Sequence, residues 1–151
     1  MGEKIAAAIA LGLRLVLGAV FVYAGIIKAL HPDAFALQVE NYRILGHAPS
    51  VAASLYLPYL EIACGLSLLS KSLYAGGLFL TGTLTLIFTA ALCSAWARGL
   101  DIACGCFGSG DGRTNYGSDL LRDIAMLGTV AFLFRRFYCK PVTAPAPSSK
   151  R

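Results

Sequence analysis

The sequence predicts an all-α integral membrane protein, a four-helix transmembrane bundle with a short interfacial amphipathic helix after the first span. Three observations carry this expectation. The 151 residues are 57% hydrophobic and only 14% charged, with a mean hydropathy of +0.67, too apolar for an ordinary soluble domain of this length. The apolar residues fall into four runs, each near or above the roughly 20 helical residues that cross a hydrocarbon core. Connections between the runs are short, and most basic residues stand at the ends of the runs.

The first span is read at about residues 5–30, apolar apart from Arg14 and Lys28. It is too long for a cleavable signal peptide, holds Arg14 inside it and lacks a small-residue cleavage site, so a retained helix is expected. His31-Pro32-Asp33 then opens a segment, about 32–46, whose Pro and Asp suit a first helical turn and whose Phe35, Val39 and Tyr42 recur at helical spacing. A short helix lying in the membrane interface fits that pattern. Further crossings are expected at about 51–69, 73–97 and 118–137, with Ser118 and Asp119 placed to cap the last. A polar connection, 98–117, precedes this fourth span. Residues 1–141 form one domain on this reading, and the Pro/Ala/Ser-rich stretch 142–151 is a disordered cytoplasmic tail. Gly12, Gly18, Gly25, Gly65, Gly76, Gly77 and Gly82 suit close packing of helices in lipid.

Four crossings put both termini on one side of the membrane. Lys4, Lys71, Arg135, Arg136, Lys140, Lys150 and Arg151 fall on that side, against Lys28, Arg43, Arg98 and Arg113 opposite. The positive-inside bias therefore expects cytoplasmic termini in a bacterial inner membrane and a periplasmic 98–117 connection, in a compartment that permits disulfides. The net charge of +5 is accounted for by topology and implies no nucleic-acid partner.

Within the polar connection lies Cys104-Gly105-Cys106-Phe107-Gly108. Two thiols separated by one residue can close a small, strained ring that is easily reduced, which a structural staple would avoid. A redox-active pair is the preferred reading; a soft-metal site for copper(I) or mercury, and inert thiols or a structural bridge, stand beside it. Structural zinc needs four ligands, yet no second CxxC accompanies the pair and His31 and His47 are the sole histidines. Cys64, Cys93 and Cys139 are ordinarily read as small hydrophobes. Cys64 or Cys93 would resolve the pair only if the connection folded into the bundle mouth, and Cys139 lies on the wrong side.

Arg14 and Glu61 are the ionisable groups placed deepest in the expected spans, and unpaired charge there costs several kcal/mol. An Arg14–Glu61 intramembrane ion pair is expected, acting as a lock between helices or, through Glu61 three residues from Cys64, as part of a proton path. Asp119, Arg122 and Asp123 cluster at the start of the fourth span. They suit a helix N-terminus as cap and anchors; near the cysteine pair, Arg122 would stabilise a thiolate and Asp119 or Asp123 would exchange protons. Asp101 could assist in the same way.

Five segments carry a family resemblance: Arg14-Leu-Val-Leu-Gly18 with Tyr23-Ala-Gly25-Ile-Ile-Lys28, Leu57-Pro58-Tyr-Leu-Glu61-Ile-Ala-Cys-Gly65, Asp101-Ile-Ala-Cys104-Gly-Cys106-Phe-Gly108, and Leu121-Arg122-Asp123. In this order and spacing the chain resembles the MauE and DoxX-like family of small redox-associated membrane proteins, over residues 13–134. The resemblance implies a four-helix bundle with Arg14, Lys28, Glu61, Cys104, Cys106, Arg122 and Asp123 at the family's polar motif positions. It also implies an association with maturation of a disulfide-rich periplasmic enzyme alongside a thioredoxin-like partner, and, from DoxX-like relatives, thiol or sulfur oxidation with electrons passed to quinone. The expected function is thus a membrane thiol-disulfide oxidoreductase, or redox partner, that exchanges electrons between Cys104/Cys106 and a thioredoxin-like protein and passes them to a membrane quinone. No covalently bound cofactor is expected. Two alternatives stand beside it: a copper or mercury carrier in which Cys104 and Cys106 capture the ion and Cys64 receives it, and a non-catalytic scaffold for a periplasmic thiol protein.

Overall fold

A computed structural model describes residues 2–70, 73–100 and 116–138. The described residues form five helices and no strand: α1 (Gly2–Leu30), α2 (Pro32–Asn41), α3 (His47–Leu69), α4 (Tyr74–Ala97) and α5 (Tyr116–Tyr138). Three of them, α1 over Lys4–Leu30, α3 and α4, are long and apolar enough to cross a membrane. The fourth expected crossing, α5, matches α3 in length at 23 residues but carries Asp119, Arg122 and Asp123 at one end and Arg135 and Arg136 at the other.

Local chemistry explains where the helices start and stop. Pro32 sits in the first turn of α2, where its missing N–H costs nothing, and Asp33 complements the helix N-terminus. The helix ends earlier than the expected residue 46, because Arg43 adopts a left-handed backbone with φ 50. Gly46, in extended conformation, then opens α3 at His47, four residues before the expected start, and Ser50 Oγ donates to Gly46 O at 2.9 Å. Helix α4 closes in a Schellman motif: Gly99, at φ 63, donates its N–H to Trp96 O and Leu100 donates to Ala95 O. Ser118 and Asp119 were expected to cap α5; they lie inside its first turn, where Asp119 still complements the positive end of the helix.

Helices α1 and α3 run antiparallel and form the most extensive helix pair. Their closeness depends on glycine. A Cβ on Gly65 would lie 2.7 Å from Gly18 O and 2.6 Å from Val22 Cγ2; one on Gly25 would lie 2.7 Å from Pro58 O. In lipid, where burial of apolar surface drives little, such backbone approach gains dispersion contacts instead. Gly77 makes a similar approach to Ser67, and Gly82 faces Val130 of α5. Gly12 and Gly76 were expected to pack in the same way, but a Cβ on either would meet nothing within 4 Å. The core between the helices holds Leu17, Phe21, Cys64, Leu68, Leu78 and Leu133, while Val16, Phe79, Leu86 and Ile87 point outward from the bundle, as lipid-facing side chains do.

The register set by these glycines overturns the expected Arg14–Glu61 pair. With Gly18 opposite Gly65 and Gly25 opposite Pro58, Arg14 stands beside the end of α3 and not beside its middle. Helical side chains lean toward their own N-terminus, which carries Arg14 further that way. Its Nε donates to Leu68 O, its Nη2 donates to Leu69 O at 3.1 Å and Ser70 O at 2.8 Å, and its guanidinium lies 4.4 Å from the centre of the Tyr74 ring. These carbonyls are the orphan acceptors of a helix C-terminus, and a cation is the favourable partner there.

The glycine contact generates a stability prediction. Gly65→Val should destabilise the protein by about 1–3 kcal/mol or prevent folding, as overpacking does, whereas Gly12→Val should leave it unchanged. Thermal unfolding in detergent, followed by circular dichroism, compares the two.

Candidate functional site

The same register brings Lys28 to Glu61. Lys28 occupies the last turn of α1, and its side chain leans back into the bundle to the level of Glu61, one turn beyond Pro58 on the buried stripe of α3. Lys28 Nζ lies 2.5 Å from Glu61 Oε1, and only 5% of Lys28 and 2% of Glu61 is exposed. The ammonium also stands 5.1 Å from the Phe35 ring centre and 5.0 Å from that of Phe88, so aromatic faces replace part of its lost hydration. The other carboxylate oxygen, Glu61 Oε2, is buried with no hydrogen-bond partner among the described residues.

Helix α5 adds a second charged group against this pair. Asp123 is buried; its Oδ1 is 3.3 Å from Arg122 Nη2, and Thr89 Oγ1 of α4 lies 3.5 Å from its Oδ2. Arg122 also pairs with Asp119 at 3.2 Å. Lys28, Glu61, Thr85, Arg122 and Asp123 line one cavity of about 40 Å³ whose remaining wall is apolar, from Phe21, Phe88 and Met126 among others, enough for a water but for no larger ligand. On the other side of Lys28 and Phe88, an almost wholly apolar groove of about 300 Å³ runs between α2, α3 and α4, walled by Phe35, Leu57 and Ile87. Lys28 therefore stands between the small cavity bordered by Glu61, Arg122 and Asp123 and a larger apolar groove. The arrangement can hold an acid, a base and a water next to a space that takes a flat or chain-like apolar molecule.

Of the residues singled out in the sequence, Glu61, Arg122 and Asp123 meet at one cavity, with Asp119 joined through Arg122. Arg14 is not among them; it serves the far end of α3. Lys28 is the member to which sequence reasoning gave no partner or role, although the resemblance set it among the family's polar motif positions and it is the other lysine or arginine inside the apolar stretch of the first span. Cys64, 1% exposed, is packed in the core one turn from Glu61, and Cys93 is exposed on α4. Cys104, Cys106, Asp101 and Cys139 lie outside the described residues. The chain that leads to Cys104 leaves α4 at a fixed place: Arg98 donates from Nη2 to Tyr42 O at 2.5 Å and from Nη1 to Arg43 O at 3.2 Å, tying the end of α4 to the corner between α2 and α3. His47 and Glu40, 2.5 Å apart, close that corner. Among the described residues no group of three or more His, Cys, Asp or Glu side chains is placed to hold a metal ion.

Breaking a buried pair leaves an uncompensated charge, which costs about 3–5 kcal/mol. Lys28→Met and Glu61→Met should each destabilise by that order, and the double variant by much less than their sum. A double-mutant cycle measured by unfolding in detergent checks this coupling.

Comparison with known proteins identifies the family. The model of the family described as methylamine utilisation protein MauE matches residues 6–136. The methylamine utilization protein MauE of Paracoccus denitrificans is 35% identical over 99 residues, a match covering 65% of this chain and 53% of that protein. The chain thus spans about half the length of the curated relative it matches. No solved structure matches. With a family match running from the first turns of α1 almost to the end of α5, and several helices of membrane-spanning length, this chain belongs to the MauE family of membrane proteins.

Proposed function

We propose that the chain is a membrane thiol-disulfide oxidoreductase, or redox partner, whose Cys104 and Cys106 exchange electrons with a thioredoxin-like protein outside the cytoplasm. The observation that carries this reading is the placement of the buried cluster. Lys28, Glu61, Arg122 and Asp123 occupy the end of the bundle from which the cysteine-bearing segment departs, after Leu100, and to which it returns, at Tyr116. Helix α5, equal in length to α3 and packed along α4, is on this reading the fourth crossing, with its charged ends at the two interfaces. Both termini then lie in the cytoplasm, and the cysteine segment lies in the periplasm of a bacterial inner membrane.

In the proposed exchange a partner thiolate attacks Cys104 Sγ of the oxidised pair, the Cys104–Cys106 bond breaks, and Cys106 leaves as a thiolate. Arg122 provides the nearby positive charge. The partner's second thiolate then displaces Cys104, so the partner loses two electrons as its disulfide forms and the pair becomes two thiols. Re-oxidation requires a two-electron, two-proton acceptor. A membrane quinone fits: its ring can enter the apolar groove beside Phe35 and Phe88, its oxygen can accept a hydrogen bond from Lys28, and Glu61 and Asp123 can deliver protons through the small cavity. Methylamine utilization, for which the Paracoccus denitrificans relative is named, is a candidate setting for the exchange.

Maleimide gel-shift counting of thiols in membrane vesicles tests the reading. Reductant should expose two further thiols in the wild type that the Cys104→Ser/Cys106→Ser variant lacks, and added quinone should re-close them. If both thiols are free and no oxidant closes them, the redox reading fails and tight copper or mercury binding becomes the assay of choice. Arg122→Gln should slow exchange by roughly tenfold, the equivalent of about 1.4 kcal/mol of lost charge stabilisation, as measured by stopped-flow thiol release.

A further inference from the structure

At the opposite end of the bundle, the geometry points to a binding site for the phosphodiester headgroup of an anionic phospholipid, between Arg14 of α1 and Arg136 of α5. Both guanidinium-bearing side chains line one open groove of about 400 Å³, together with Leu11 of α1, Tyr74 of α4, and Leu133 and Phe137 of α5. Ala7 and Ala10 form its wall on α1 and leave the space open. The groove has no share in the thiol chemistry proposed above and stands or falls independently of it.

Three features select the ligand. The first is charge. Lys4, Arg14, Arg135 and Arg136 occupy this end among the described residues, and Lys71 and Lys140 border it in the sequence, while Glu61, Asp119 and Asp123 are committed to the far end. Within the whole sequence only Glu3 is an acid from this end. The second is preorganisation. Arg14 is held by α3 carbonyls through Nε and Nη2 and lies against the Tyr74 ring, while its Nη1 makes no hydrogen bond among the described residues. A guanidinium fixed in place, as that of Arg14 is, loses little entropy on meeting a phosphate oxygen, and a phosphodiester has oxygens enough to accept from a second guanidinium as well. The third is the lining. Leu11 and Phe137 give the groove apolar walls continuous with the exposed surface of the bundle, and Phe137 meets edge to face at 5.5 Å the ring of Tyr74, a residue type of the interfacial aromatic belts. Acyl chains use such walls and free phosphate does not. A basic groove between helices at the side read as cytoplasmic is where anionic headgroups are held.

Native mass spectrometry of the full-length protein in detergent, titrated with phosphatidylglycerol or phosphatidylcholine, tests the site. Phosphatidylglycerol should bind more tightly than phosphatidylcholine, and Arg136→Gln should weaken it roughly fivefold, the worth of one basic contact near the surface. Arg135→Gln, which removes the same charge from a residue outside the groove, should leave the affinity unchanged, and Arg14→Lys, which keeps the charge but loses the fork, should weaken it. Each variant's unfolding temperature without added lipid is measured in parallel, so that a loss of fold is told apart from a loss of binding. Equal weakening by Arg135→Gln and Arg136→Gln would overturn the proposal in favour of diffuse surface charge. Equal affinity for the two lipids, or full displacement of phosphatidylglycerol by millimolar inorganic phosphate, would overturn it as well.

Discussion

The close approach of α1 to α3 at Gly18, Gly25 and Gly65 is the constraint from which the rest of the arrangement follows. No side chain larger than hydrogen fits at Gly25 or Gly65 without moving backbone or a packed neighbour, so these contacts admit one register. That register decides which charges meet. Sliding α1 by one turn along α3 would take Arg14 away from the terminal carbonyls of α3 and Lys28 away from Glu61, leaving several buried polar groups unpaired at once. The glycines therefore specify electrostatics as well as packing, and buried Lys28 together with partly buried Arg14 in turn penalises any alternative pairing of the helices.

The two cations are accommodated in different ways, and the difference bears on what each can do. Arg14 meets neutral carbonyls and an aromatic face, partners that do not titrate, in a role that caps a helix. Lys28 meets a carboxylate whose second oxygen has no partner among the described residues and borders a cavity shared with another buried acid, Asp123. A buried carboxylate paired with an ammonium and bordering a cavity that admits a water is placed to take and give up a proton, which is the service the proposed redox cycle needs at this end of the bundle.

Much of this was legible in the sequence because hydropathy and length are nearly sufficient to place helices in lipid. The helices α1, α3 and α4, each of membrane-spanning length, and the short α2 fall close to where the sequence pattern puts them. Pairing was harder to read. Matching Arg14 to Glu61 assumed that depth could be counted from expected helix ends, and α3 begins at His47, earlier than its apolar run, because Gly46 and Ser50 open the helix there. The direction in which helical side chains lean, which brings Lys28 back to Glu61 and carries Arg14 outward, is invisible to a count of residues. Gly12 and Gly76 show a related limit: composition marks them as packing glycines, and only the rotation of each helix reveals that they face open space. For the charged cluster of α5 the sequence was more informative, since Arg122 and Asp123 do reach the cavity that holds Glu61.

The position of Lys28 joins these threads. A lysine at the end of a membrane helix ordinarily snorkels to the interface, where its charge is hydrated and its pairing optional. Here the side chain turns inward toward Phe35 of α2 and is, among the described residues, the one basic group that borders both the small cavity and the apolar groove. Through Phe35, helix α2 covers the ion pair, and with α3 and α4 it encloses the groove. A molecule entering that groove would meet the ammonium before it met any carboxylate, and drawing the ammonium toward itself would loosen its hold on Glu61. In the proposed cycle, occupancy of the groove and protonation of Glu61 would in this way be linked through a single nitrogen, a physical route by which acceptor binding and proton delivery would be coupled.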